Sequence, residues 1–122
     1  MISKELLSDV LKEKAYDIEM KSQDNISFWT DYDQYEEMNI HELAHKCKEW
    51  AMMTHGIHGE PYIIESSYEH FTINGDMYAI VRVYHDGDMV WNNYSSEFIG
   101  EWHTEPEAIF KACEWILEQA TK

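Results

Sequence analysis

Apolar residues recur along this chain with two different periods, and the changes of period divide it into elements. Leu6, Leu7, Val10 and Leu11 fall on one helical face, and Ser3 stands where an N-cap belongs. This predicts a short helix over about 4–13. From Ala15 to Met20 the pattern alternates: Tyr16, Ile18 and Met20 are expected on one side of a half-buried strand, Asp17 and Glu19 on the other. Lys21 to Asn25 reads as a turn, Ile26 to Tyr32 as a second strand and Tyr35 to Met38 as a short third one. The helical period returns at Asn39. Asn39 and Glu42 have the spacing of a capping box, and Ile40, Leu43, Ala44, Cys47, Trp50, Ala51 and Thr54 make one stripe before Gly56 supplies a stop. Strands are then predicted over 62–68, 76–84, 89–94 and 97–102, with Asn74-Gly75 and Asp86-Gly87 as turn dipeptides. Thr104, Pro106 and Glu107 start a last helix, whose inward stripe is Ile109, Ala112, Cys113, Ile116 and Ala120.

This order of elements implies an α+β fold: a mostly antiparallel sheet of about four to six strands packed against two main helices, with a short N-terminal helix added. At 122 residues the chain suits a single domain. Within it, 1–38 forms an N-terminal helix and hairpin, and 39–122 a helix–sheet–helix core. Both faces of the later strands carry bulky groups, so the sheet is expected to be covered on one face by helices and partly covered on the other.

Charge narrows the function classes. Nine basic residues stand against twenty-four acidic ones, a net charge of −15. Direct binding to nucleic acid or to an anionic membrane is thereby excluded. No apolar run approaches the roughly 20 residues of a membrane span, and Met1 to Leu7 lacks the basic-then-apolar layout of an export signal. A cytoplasmic location is the expectation. Seven acids lie within the twenty-one residues 17–37, offset only by Lys21. Their densest part is Asp31, Tyr32, Asp33, Tyr35, Glu36 and Glu37, where tyrosines interleave with carboxylates. These six are the expected protein-binding residues, and the expected partner is a protein with a basic surface. The segment lacks the glycine of a calcium loop. Its carboxylates could alternatively mimic a nucleic-acid backbone and block a basic cleft in a host defence or DNA-processing enzyme. The acids are spread, however, with net charges of −6, −3 and −6 over 1–40, 41–75 and 76–122. That spread suits a plain solvated surface better than a mimic.

His41-Glu42-Leu43-Ala44-His45 matches the HExxH pattern, in which two histidines one helical turn apart hold zinc and the glutamate activates a water. A small zinc hydrolase is therefore an alternative. Against it, His41 and His45 lie roughly 130° from the apolar stripe at about 100° per residue, Glu42 already serves the cap, and a charged Lys46 follows the second histidine. No cofactor is expected. Cys47 and Cys113 both lie on apolar stripes and read as small buried hydrophobes. Trp91, Tyr94, Phe98 and Trp102 are either core or an exposed aromatic contact face.

The segment Trp102-His103-Thr104-Glu105-Pro106-Glu107-Ala108-Ile109-Phe110-Lys111-Ala112-Cys113 resembles the end of small phage and prophage proteins of the ABA-sandwich type. The helix containing Trp50 is similar to their first helix. The resemblance covers about half the chain, from Asn39 onward, and rests on a helix cap and a core stripe. It implies helix–sheet–helix layering and a phage or mobile-element origin, and it assigns no catalytic residue. Taken together, the sequence points to a non-enzymatic, acidic accessory protein that binds a host or phage protein.

Overall fold

The computed structural model describes residues 1–31, 33–54, 59–70, 77–93 and 104–120. Nine elements follow in the order α1 (Lys4–Leu11), β1 (Ala15–Met20), β2 (Asn25–Thr30), β3 (Gln34–Asn39), α2 (Ile40–Met53), β4 (Tyr62–His70), β5 (Met77–His85), β6 (Asp88–Asn92) and α3 (Glu105–Ala120). The fold is α+β and its described strand pairs are all antiparallel. The described strands form two sheets of three, β1-β2-β3 and β4-β5-β6. The strand predicted over 97–102, the Asn74-Gly75 turn and Gly56 lie outside the described residues.

Local chemistry accounts for the helix ends. The Ser3 hydroxyl accepts from the Leu6 N–H and starts α1. The helix ends at Leu11 rather than Glu13, because Lys12 turns into the left-handed region at φ 60° and its N–H closes on the Ser8 carbonyl. Asn39 Oδ1 accepts from the backbone N–H groups of His41 and Glu42 at 2.8 and 3.3 Å, which is the Asn39 half of the capping box predicted for α2.

One core joins everything. α2 lies against α3 and β4 and reaches β3; α3 covers β4 and β5; α1 packs on β1. Leu6 and Leu7 of α1, Ile26 and Phe28 of β2, Leu43, Cys47 and Ala51 of α2, Val81 and Val83 of β5, and Ile109, Cys113 and Ile116 of α3 belong to a single buried cluster. The two helix stripes read from the sequence supply much of it. Ala120 is the exception: it lies beyond the core and is exposed. Cys47 and Cys113 are both free and fully buried, and the Cys113 thiol points at the Cys47 carbonyl at 3.6 Å.

The predicted faces of β1 need correction. Tyr16 opposes Trp29, while Glu19 opposes Ser27, so two residues, Asp17 and Ile18, bulge against Phe28 alone. Asp17 sits at φ 52°, in the left-handed region. The bulge shifts the alternation by one. Ala15 and Ile18 face the core, and Tyr16 moves to the opposite side with Glu19.

Candidate functional site: the outer face of the N-terminal sheet

Along β2, Ile26, Ser27, Phe28 and Thr30 are buried, and Trp29 is 38% exposed. Because Tyr16 pairs with Trp29 and Trp29 with Tyr35, three aromatic rings stand in one row across β1, β2 and β3 on the outer face. The rings of Trp29 and Tyr35 meet edge to face with centroids 5.5 Å apart. The next row on the same face is Glu19, Ser27 and Glu37.

Carboxylates surround the aromatic row. The Tyr16 hydroxyl donates to Asp33 Oδ1 at 2.9 Å, and the Tyr35 hydroxyl donates to Glu37 Oε1 at 2.9 Å. The bond to Asp33, a small loss of solvation and the negative charges of Asp33, Asp17 and Asp31 all hold the Tyr16 phenol above its ordinary pKa. Lys21 is the only cation of the 17–37 segment. Its ammonium lies over the Tyr35 ring, 5.7 Å from the centroid. Tyr35 beside it, with Glu19 and Glu37 further out, pushes its pKa up. Asp33 reaches this place because the loop after β2 brings it into the left-handed region at φ 54°, a conformation that aspartate tolerates better than most residues.

Of the residues expected from sequence, Asp33, Tyr35 and Glu37 come together here. Glu36 is exposed on β3 but opposes buried Phe28, so it belongs to the other face of the strand. Asp31 is exposed at the end of β2, with its N–H on the Lys14 carbonyl. Tyr32 lies outside the described residues. Sequence reasoning missed Tyr16, Lys21 and Trp29. The available signal was a tryptophan in the polar phase of an alternating strand.

His41 and His45 stand one turn apart on an exposed side of α2. Their Nε2 atoms face different carboxylates, Asp24 at 3.7 Å and Glu49 at 2.9 Å. Among the described residues, no three His, Cys, Asp or Glu side chains are placed to hold a metal ion. A second group of acids lines a hollow between α1 and α3, formed by Ser3, Glu5, Asp9, Glu114, Leu117 and Glu118. Glu114 accepts from the Ser3 N–H at 2.8 Å and Asp9 from the Trp50 indole N–H at 2.7 Å. Trp91 packs against the core; Tyr94, Phe98 and Trp102 lie outside the described residues. No described helix is long and apolar enough to cross a membrane.

No protein-family profile, curated protein or solved structure matches the chain.

Proposed function

We propose that this chain is a non-enzymatic accessory protein, of the phage or prophage kind, that docks its N-terminal sheet onto a basic surface of a partner protein in the cytoplasm. The row of half-buried Tyr16 and exposed Trp29 and Tyr35, bordered by Asp33 and Glu37, carries this reading. Aromatic side chains dominate the energy of protein interfaces, and here two of them, Trp29 and Tyr35, are exposed. The acids around them attract a basic partner from a distance and set the association rate; the rings then set the residence time. The resemblance of the last helix to phage proteins supports the origin.

The test is capture by the purified protein at graded salt, compared with two variants. Trp29→Ser combined with Tyr35→Ala removes the rings. Glu5→Gln combined with Glu107→Gln changes an equal number of residues, and removes two charges, at a distance from the sheet. Partners held by the parent chain at low salt are expected to persist with the second variant and to be lost from the first. Equal retention by both variants would overturn the assignment of this face.

A further inference from the structure

The two edges of the N-terminal sheet are built differently. β1 carries the bulge at Asp17, which breaks its line and spoils it as a template for another strand. β3 has no such break. Its six residues Gln34 to Asn39 pair in unbroken register with β2, they include no proline, and Gln34 to Glu37 are all exposed. Among the described residues nothing pairs with its far side. An exposed regular edge is usually guarded by lysine, proline or a bulge. Here the only guards are Glu36 and Glu37. They repel another copy of this acidic chain and attract a strand of opposite sign.

Resting on the proposed binding role of this face, we infer that the partner contributes an extended segment with lysine or arginine at every second position, which adds to β3 as a fourth strand. Backbone hydrogen bonds would hold it along β3, as in other strand additions. Side chains on alternate positions then fall beside Tyr35 and Glu37, within reach of a directly opposed residue. Lys21 shows what such a side chain meets. Its ammonium already rests on the Tyr35 ring from within the chain, with Glu37 beyond it. A partner cation finds the same ring and the same carboxylates, with Trp29 next in the row. Glu36, on the other side of the strand, adds a second carboxylate at the edge.

The experiment uses the full chain and a synthetic peptide of about eight residues, long enough to span six at about 3.4 Å each. Arginine alternates with threonine in it. A second peptide has the same side chains but is N-methylated at every residue, so its charge is kept and its strand pairing is blocked on both edges. The unmodified peptide is expected to bind at low salt and to protect the amides of 34–39 from hydrogen exchange. The methylated peptide is expected to bind about tenfold or more weakly, the loss of one or two backbone bonds. Glu36→Lys combined with Glu37→Lys is expected to reject the arginine peptide and to accept its glutamate counterpart. Equal binding of both peptides, sensitive to salt and lost on removal of the rings, would overturn strand addition while leaving the binding face intact. Binding of neither peptide would overturn the inferred partner chemistry; the salt-graded capture test then decides separately whether the face binds proteins. A dimer of the free chain with protected 34–39 amides would overturn the inference in favour of self-pairing.

Discussion

At the end of β6 the Asn93 side chain pairs with β5 as a stretch of backbone would. Its Oδ1 accepts from the Val81 N–H and its Nδ2 donates to the Ala79 carbonyl, both at 2.9 Å, while its own N–H reaches the Val81 carbonyl. The residue is 5% exposed, so these bonds are made out of water. Asn93→Ala leaves two buried backbone groups unpaired and is expected to cost about 2–4 kcal/mol, read as a lower urea midpoint with unchanged slope. Cys113 carries a different kind of prediction. Contact with Cys47, then burial, raises its thiol pKa well above the ordinary value of 9.0. The folded chain therefore keeps a proton that the unfolded chain releases. That contribution is complete below the ordinary thiol range and is lost as pH rises towards the raised folded value. Stability is expected to fall as pH rises through the ordinary thiol value of 9.0 and beyond it, and Cys113→Ala is expected to flatten this slope in urea titrations. Burial of both cysteines was legible from their place on apolar stripes. The role of Asn93 was not, because an asparagine after a strand reads equally well as the start of a turn.

Among the elements, the helices were the most legible. α2 begins at the residue that its cap predicts, and its stripe is the one that is buried. A helix is written in local chemistry: a cap, a period and a stop. β1 shows the limit of that reading. Its alternation gives Tyr16 the face of Ile18, and one bulge moves it to the other side, where it joins the aromatic row. A bulge arises from pairing with a distant residue and from a φ that any sequence window leaves open. Asp17 at φ 52° is the place to test it. Asp17→Gly is expected to leave stability nearly unchanged, since glycine adopts that conformation freely. Asp17→Val is expected to lose about 1–2 kcal/mol, measured by thermal or urea unfolding. If Asp17→Val is as stable as the parent, the bulge relaxes at little cost and the face assignment of Tyr16 depends on other contacts.

For the whole molecule, the α+β class followed from the order of elements, but the division into two sheets did not. Strand patterns mark which residues alternate, and they leave open which strands become neighbours. Ile40 to Met53 separates β3 from β4, and the helix inserts its stripe into a core that both sheets share, so neither sheet needs to extend the other. The candidate face was half legible for the same reason. The density of Asp33, Tyr35 and Glu37 is local, whereas the row that unites Tyr35 with Trp29 and Tyr16 exists only once three strands are paired.

The straight, carboxylate-guarded β3 ties the colloidal behaviour of the protein to acidity. Near pH 4.6, where positive and negative charges balance, net charge no longer keeps one copy away from the next. The same six residues then offer each molecule a rail on which another can stack. The protein is expected to stay dispersed at neutral pH and to form strand-rich assemblies near its isoelectric point, detected by light scattering and thioflavin fluorescence. A proline in place of Glu37, whose N–H faces away from β2, should delay that growth while leaving the helices, and the core between them, in place.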